Sequence, residues 1–290
     1  MTQINASLPV AVSGATGAQG GAAARALLQL GRPVRALTRD PATPAAAELR
    51  ALGAEVVRAD FDDEASLTAA LAGTGALFAM STPFGSDLSA EIRQGTALLD
   101  AAVAVGVGHI VFTSAANADR STGIPHFESK WRIERHLATL DVTWTVIGPG
   151  VFMENYANGW TMESLRDGVF ALPMPPGRPL PLIAARDIGA FAALALNCPA
   201  EFGGRRIDIA SQWRTSEQIA AAIGAASGRE IRHREVPLTV AESYSGDLAA
   251  MFRYFQETGL DVDIDGLRRD HPEVGWHTLE KWATDRAWDL

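Results

Sequence analysis

The chain has 290 residues, of which 47% are hydrophobic and 20% are charged, so it can bury one large core or two modest ones. Its 25 basic and 34 acidic residues give a net charge of −9 at pH 7, which disfavours charge-driven binding to nucleic acid or to anionic membranes. The single cysteine, Cys198, excludes an internal disulfide, and no apolar run approaches the ~20 residues of a membrane span. No signal peptide is recognisable, and we therefore expect a cytoplasmic protein.

Short β-rich apolar runs alternate with Ala- and Leu-rich helical stretches in the first half of the chain. We predict strands at residues 9–13, 33–38, 55–59, 76–81, 109–114 and 143–147. We predict helices at residues 18–30, 45–52, 64–71, 87–105 and 129–140. This alternation is typical of βαβ units, and it predicts an α/β fold with a Rossmann-type, doubly wound parallel sheet. Ligands of such sheets bind at the carboxyl edge of the strands, where we look for the chemistry.

The pattern changes after Gly150, where a proline-rich stretch precedes helices and strands without βαβ regularity. We therefore predict a Rossmann domain over residues 1–150, and a smaller α+β domain over residues 151–290. This second domain would cover the cleft, and it has the length to return strands to the sheet.

Two helices are predicted in the second half. Asp187 precedes an apolar run over residues 188–196 and is expected to be the N-cap of that helix. Residues 280–288 are typical of a closing amphipathic helix, with Leu279 and Trp282 facing the core.

A glycine-rich turn follows the first predicted strand and opens the first predicted helix. The residues of this loop are Gly14, Ala15, Thr16, Gly17, Ala18, Gln19 and Gly20. The spacing G-x-x-G-x-x-G differs from the usual G-x-G-x-x-G, but backbone N–H groups at a helix start still offer partial positive charge to a pyrophosphate. A side chain at Gly17 would occupy the space of the phosphates. The strand, turn and helix together predict a dinucleotide site.

The residue at the end of the second strand determines whether such a fold prefers NAD or NADP. An NAD-binding fold places an acid there, on the ribose 2′-hydroxyl, and an NADP-binding fold places an arginine near the 2′-phosphate. Arg39 lies at this point, with Asp40 next to it, and we favour NADP(H) bound by Arg39. Asp40 as the ribose acid remains the alternative, and Arg35 is a weaker candidate for the same phosphate.

The third and fourth strands supply further cofactor candidates. Asp60 can accept from the adenine amino group and Phe61 can contact the ring, whereas Asp62 and Asp63 are expected to begin the next helix at its positive end. After the fourth strand come the residues expected under the nicotinamide-side ribose, which are Ser81, Thr82, Pro83 and Phe84.

These motifs resemble the NmrA-like family, an atypical branch of the short-chain dehydrogenases and reductases. The resemblance rests on residues 14–20, 38–40, 59–63 and 149–155. Residues 247–254 also resemble the end of NADPH-sensor proteins of that family, so the likeness covers nearly the whole chain. It implies a Rossmann domain with a small C-terminal domain and a preference for NADP(H). Members include NADPH-responsive regulators with little turnover, and reductases of quinones or other small molecules.

Short-chain dehydrogenases pair a tyrosine with a lysine four residues later, and the lysine lowers the pKa of the phenol. None of the three tyrosines here has such a partner. Lys130, one of only two lysines, does lie at the expected place, with His126 four residues before it. We expect Lys130 to donate to the ribose hydroxyls of the nicotinamide end and His126 to exchange a proton, against the alternatives of a solvated helix charge and an exposed helix-start histidine.

Other residues are candidates for the substrate side of the site. Ser114, at the end of the fifth strand, lies in the region of the substrate-orienting serine of the superfamily, while ordinary turn chemistry is the alternative. Phe152, Asn155 and Tyr156 are expected to line the roof of the cleft. Ordinary core packing is expected for Trp160, Met162 and Met174. The lone cysteine and the scattered histidines predict no metal site.

Two functions remain open from the sequence. The first is an NADP(H)-binding redox sensor or regulator, which would need a protein partner; the missing tyrosine favours it by a small margin. The second is an NADPH-dependent reductase of a quinone or another small electrophile, since such an acceptor takes a hydride with only modest proton assistance. A sugar-nucleotide epimerase is a weaker third possibility, because it requires the missing pair.

Overall fold

The computed structural model describes residues 7–82 and 87–290, with the backbone alone at Trp160. Its strands are β1 Val10–Val12, β2 Val34–Thr38, β3 Glu55–Arg58, β4 Ala76–Met80, β5 His109–Thr113, β6 Thr143–Pro149, β7 Val151–Phe152, β8 Val169–Leu172, β9 Leu180–Ile183, β10 Arg205–Ile209, β11 Gln212–Arg214 and β12 Arg232–Glu235. Its α-helices are α1 Ala18–Gln29, α2 Pro44–Ala51, α3 Glu64–Leu71, α4 Leu88–Ala104, α5 Pro125–Leu137, α6 Gly159–Arg166, α7 Ala185–Asn197, α8 Pro199–Phe202, α9 Ser216–Ser227, α10 Leu238–Tyr244, α11 Gly246–Glu257, α12 Ile264–Asp270 and α13 Leu279–Thr284.

Seven strands form the central sheet in the order β10-β6-β5-β4-β1-β2-β3, and every neighbouring pair is parallel. The order reverses between β1 and β4, which is the switch point where doubly wound sheets bind their ligands. The predicted α/β class with a parallel sheet is confirmed. The central strands β1 and β4 are apolar along their whole length, and β5 is buried throughout, as expected for a sheet covered on both faces.

Helices cover both faces of this sheet. One face packs against α1 and α7 through residues such as Leu27 and Phe191, and the other against α3, α4 and α5 through residues such as Leu98 and Ile133. The approach of α1 to α7 is close, because a Cβ added at Gly189 would lie 2.4 Å from the backbone of Ala22. In the part of the chain that the structure describes, no helix is both long and apolar enough to cross a membrane.

The second half of the chain joins the first rather than lying apart from it. Strand β10 pairs with β6 at the edge of the central sheet, with Ile207 opposite Ile147. Two small sheets, β11-β9-β7 and β12-β8, build the remainder together with the C-terminal helices. One contiguous apolar core contains residues from both halves.

Most predicted helices and strands of the first half begin and end within two residues of the observed ones. Helix α5 is the exception, because it begins at Pro125 rather than at residue 129. Proline is favoured at the first helical position, since its missing N–H has no helical partner there and its φ is already helical. The earlier start places His126 inside the helix.

Two predictions in the second half need correction. Helix α7 begins at Ala185 with Ala184 as N-cap, so Asp187 is not the cap; its buried carboxylate accepts the backbone N–H of His277 at 2.7 Å. Helix α13 ends at Thr284, short of residue 288. The inward orientation of Leu279 and Trp282 is confirmed.

A buried histidine in the sheet makes the folding stability depend on pH. His109 is fully buried in β5, and its Nε2 lies 2.9 Å from Oγ1 of Thr145. Because that hydroxyl donates its own proton to the carbonyl of Phe202, it accepts from the imidazole, so the proton of the neutral ring lies on Nε2. Burial lowers the pKa of His109 from 6.5 to about 4, because the low-dielectric interior disfavours its charged form.

We expect this histidine to steepen acid unfolding. The unfolded chain takes up the proton near pH 6.5 and the folded chain only near pH 4, so folding stability is lost as pH falls through this window, by about 3 kcal/mol in total. Urea unfolding at several pH values should show this loss in the wild type and a shallower loss in His109→Gln. Identical pH dependence of the two proteins would mean that His109 does not resist protonation in the folded state.

Candidate functional site

The glycine loop connects the carboxyl end of β1 to the start of α1. Gly14 has a φ of +59°, and a Cβ added there would lie 2.2 Å from the sulfur of Met80. A Cβ at Gly20 would lie 2.3 Å from the carbonyl oxygen of Gly14. Both glycines are therefore needed for the turn itself.

Gly17 has a different role in the same loop. It is exposed and is the N-cap of α1, its N–H donates to the carbonyl of Gly14 at 2.9 Å, and no side chain caps the helix. The first N–H groups of an α-helix have no partner within the helix, and here Thr16 and Ala18 beside Gly17 are exposed as well. The helix therefore presents free donors and the positive end of its dipole to any anion at the loop.

Gln19 links this loop to the neighbouring strand end. Its side-chain oxygen accepts a hydrogen bond of 2.7 Å from the hydroxyl of Thr113, the last residue of β5. Thr113 therefore faces α1. Ser114, one residue later, points to the opposite face of the sheet, as strand alternation requires.

Ser114 takes part in a buried polar network on that other face. Its hydroxyl donates to the carboxylate of Glu134, and Arg206 donates to the other oxygen of that carboxylate at 2.9 Å. Burial raises the pKa of Glu134, while the charge of Arg206 opposes that rise. Arg206 also pairs with Asp208, whose second oxygen accepts from the backbone N–H of Asn117. The network fixes the loop after β5 against β10, and it satisfies the Ser114 hydroxyl within the protein.

The charged residues at the end of β2 divide into engaged and exposed groups. Arg35 pairs with Glu55 at 2.7 Å and donates to the carbonyls of Ala70 and Ala72, so its guanidinium ties β2 to β3 and α3. One carboxylate oxygen of Asp40 accepts the N–H of Ala42 at 2.8 Å in a turn. Arg39 is exposed, and within residues 7–82 and 87–290 it has no ion pair or hydrogen bond. Its guanidinium is therefore available to a ligand.

The end of β3 is shaped by local hydrogen bonds. Asp60 is half-buried, its N–H donates to the hydroxyl of Ser66, and its carboxylate accepts the N–H of Asp62 at 3.1 Å. Phe61 is half-buried and packs on the core of the α3–α5 face. Asp63 caps α3 through the N–H of Ser66, which confirms the prediction that the acids here begin the helix.

A compact polar cluster lies where β4 ends. Lys130 of α5 directs its ammonium nitrogen to Oε1 of Glu91 at 2.9 Å, and to the carbonyl and hydroxyl oxygens of Ser81 at 3.2 and 3.3 Å. Ser81 also donates to Glu91 at 2.8 Å, and Ser129 donates to the other oxygen of Glu91. We call Ser81, Glu91, Ser129 and Lys130 the Glu91 cluster. Thr82 follows it, while Pro83 and Phe84 lie outside the described residues.

His126 lies one helical turn before Lys130. Its Nδ1 contacts the carboxylate of Asp247, in the first turn of α11, and its ring packs edge-on against Phe127 with centroids 4.8 Å apart. The side chains of His126 and Asp247 are 18% and 29% exposed, so the pair is accessible. A carboxylate on Nδ1 fixes the orientation of the ring and leaves Nε2 as the nitrogen for proton exchange.

The predicted roof residues differ in exposure. Phe152 is half-buried and Asn155 is exposed. Tyr156 is buried against Phe170, with ring centroids 5.3 Å apart, and burial raises the pKa of its phenol. Among the described atoms its hydroxyl has no hydrogen-bond partner. Met174 is a core residue and Met162 packs on the core.

Glu91 and Asp247 are site residues that the sequence reasoning missed. Glu91 could have been identified from the sequence, because it shares a helical face with Gly95, Leu98 and Ala102. A carboxylate on such an apolar face is costly unless it has a hydrogen-bonding partner. Asp247 had none, since it is 121 positions from His126 in the chain.

The parallel sheet, the glycine loop and the exposed donors at its carboxyl edge define a dinucleotide-binding protein of the Rossmann class. The model of the NmrA-like family matches residues 7–283, and the chain belongs to that family. It is 30% identical to the NAD(P)H azoreductase of Xenophilus azovorans over 80% of this chain and 79% of the relative. It is 31% identical to Quinone oxidoreductase 2 of Escherichia coli over 78% and 77% of the two chains.

Solved structures give the same architecture. An NADPH complex of the quinone oxidoreductase QOR2 from Escherichia coli matches with a TM-score of 0.80 and 26% identity, over 95% of this chain and 98% of that one. An NADP complex of NmrA, a negative transcriptional regulator, matches with a TM-score of 0.80 and 23% identity, over 97% and 95% of the two chains. The second likeness shows the fold alone.

Proposed function

We propose that this protein binds NADP(H) and uses NADPH to reduce a quinone or another small apolar electrophile. The observation that carries the proposal is the imidazole of His126, held by Asp247 one helical turn from Lys130. This arrangement supplies a proton donor beside the predicted nicotinamide position although no tyrosine precedes the lysine. The relatives at 30% and 31% identity, an azoreductase and a quinone oxidoreductase, support the reductase over the regulator.

The residues present fit a dinucleotide. The exposed N–H groups around Gly17 and the first turn of α1, among them those of Ala18 and Gln19, would hold the pyrophosphate. The unpaired guanidinium of Arg39 would hold the 2′-phosphate. Asp60 and Phe61 would contact the adenine, and Ser81, Thr82 and Lys130 the nicotinamide ribose. Phe152 and Asn155 remain candidates for the substrate cleft.

The reduction of a quinone consumes one hydride, one proton and no further reactant, and it yields the hydroquinone and the oxidised cofactor. The nicotinamide, when bound, supplies the hydride. Protonated His126 keeps its Nδ1–H on Asp247 and releases the proton from Nε2 to the substrate oxygen. Lys130 anchors the ribose, and Phe127 shields one side of the imidazole from water.

A redox sensor is the second candidate function. The feature that favours it is the missing tyrosine, because no tyrosine lies four residues before Lys130 to serve as the usual proton donor. A sensor would give no saturable turnover with a panel of electrophiles. NADPH would then still protect residues 151–167 from hydrogen exchange, because the ligand orders the cleft.

Steady-state oxidation of NADPH tests the proposed reductase. The rate should depend on added quinone, saturate with it and fall in Lys130→Ala, in which the ribose loses its anchor. A quinone-independent rate, or none across quinones and azo compounds, would favour the sensor.

We expect NADPH to bind more tightly than NADH, and Arg39→Ala to remove most of the difference. A charged hydrogen bond contributes ~1.5–3 kcal/mol, so the variant should lose roughly 10- to 150-fold in NADPH affinity and little in NADH affinity. Calorimetric titration of both cofactors measures this. Arg50→Ala, on the exposed side of α2, is the matched control and should bind like the wild type. Equal affinities for the two cofactors in the wild type would transfer the assignment to Asp40.

A further inference from the structure

The fully buried carboxylate of Glu91 has no assigned role. It lies in the first turn of α4 and receives three hydrogen bonds, from Ser81 at the end of β4 and from Ser129 and Lys130 of α5. A buried carboxylate is costly unless it is paired and hydrogen-bonded, and this one is satisfied on both oxygens. The sequence therefore keeps a charge in the core at the point where the cofactor is expected.

The contacts of Lys130 show what this charge does. An ammonium has three donors. Glu91 takes one at 2.9 Å, and the two oxygens of Ser81, at 3.2 and 3.3 Å, can share a second. The third then remains for a ligand, and the side chain of Lys130 is 12% exposed, so the residue is not sealed inside the protein.

We propose that Glu91 is a positioning residue for cofactor binding, which holds the Lys130 ammonium at the end of β4 so that its free donor meets the nicotinamide ribose. The inference rests on the proposed NADP(H) site, but it applies to a reductase and to a sensor alike. Ser81 and Ser129 orient the carboxylate. Glu91 itself does not touch the cofactor, because it is fully buried and its oxygens are engaged.

The test compares two ligands, NADPH and adenosine 2′,5′-bisphosphate, which lacks the nicotinamide ribose. In Glu91→Gln the ammonium loses its charged partner and its fixed position. We therefore expect NADPH affinity to fall by roughly 10-fold or more, as for the loss of one charged hydrogen bond, with adenosine 2′,5′-bisphosphate binding unchanged. Glu48→Gln, which removes an exposed ion-pairing carboxylate on α2, is the matched control and should leave both affinities unchanged.

A double-mutant cycle separates positioning from general destabilisation. If Glu91 acts through Lys130, Glu91→Gln should cost no further NADPH affinity in a Lys130→Met background. Ser129→Ala keeps the ion pair and should give a smaller loss, which provides a second variant if Glu91→Gln does not fold. NADPH binding by Glu91→Gln at wild-type strength would overturn the inference, as would equal losses for both ligands. Failure of the wild type to bind either ligand would instead contradict the proposed function.

Discussion

His126→Phe should lower quinone-dependent oxidation of NADPH by roughly 10²- to 10⁴-fold, the usual contribution of a positioned general acid. Its NADPH affinity should stay near that of the wild type, because the imidazole is assigned to the substrate and not to the cofactor. Asp247→Asn should give a smaller loss, since the ring remains but its orientation and the counter-charge on Nδ1 are lost. Steady-state rates together with cofactor titration measure both effects.

The same helix offers a matched control. His136, near the other end of α5, pairs with Asp100 at 2.6 Å, so it is also a histidine with a carboxylate partner. His136→Phe and Asp100→Asn should leave the rate unchanged. This pair lies at the C-terminal end of α5, whereas His126 lies in the first turn. If the two histidine variants lose activity equally, the effect belongs to helix stability and not to proton transfer.

Gly17→Val should abolish the binding of NADPH and NADH while the protein stays folded. In the loop a Cβ at Gly17 would meet only the carbonyl of Gly14, at 3.3 Å, and its φ of −99° suits any residue, so the backbone tolerates the change. The branched side chain would instead stand in front of the free N–H donors. Losing two charge-assisted hydrogen bonds corresponds to at least about 100-fold in affinity.

Gly20→Ala is the comparison that separates loss of cofactor binding from loss of the turn itself. Its added Cβ would lie 2.3 Å from the Gly14 carbonyl, so this variant should lose stability as well as binding. Circular dichroism and thermal melting separate the two cases. A folded Gly17→Val protein that binds NADPH at wild-type strength would show that the loop is only a turn.

The sequence predicted the sheet well because local patterns determine it. Each strand of the first half contains β-branched or other apolar residues between turns, and parallel order follows from the intervening helices. The glycine loop was readable for the same reason, since its spacing and its position between strand and helix are both local. The predicted start of α5, residue 129, was four residues too late because the preference of Pro125 for the first helical position was not used.

The site was less predictable because its contacts are long-range. The side chains that orient His126 and Lys130 come from α11 and α4, and no local pattern pairs them. Ser114 illustrates a second reason. It is adjacent to Thr113, but alternation along β5 turns it to Glu134 and Arg206, while Thr113 faces the glycine helix. The register of a strand end, which decides between these two hydroxyls, became visible only in three dimensions.

The fate of NADPH already bound to the protein tests the account most directly. The protein is first loaded with one equivalent of NADPH and then mixed rapidly with an excess of quinone, while the absorbance of the reduced nicotinamide is followed in a single turnover. We expect the absorbance to disappear at a rate that saturates with quinone concentration and that is strongly reduced in His126→Phe at equal NADPH occupancy. Bound NADPH that persists at every quinone concentration, or that is oxidised equally fast without His126, would contradict the proposed reductase.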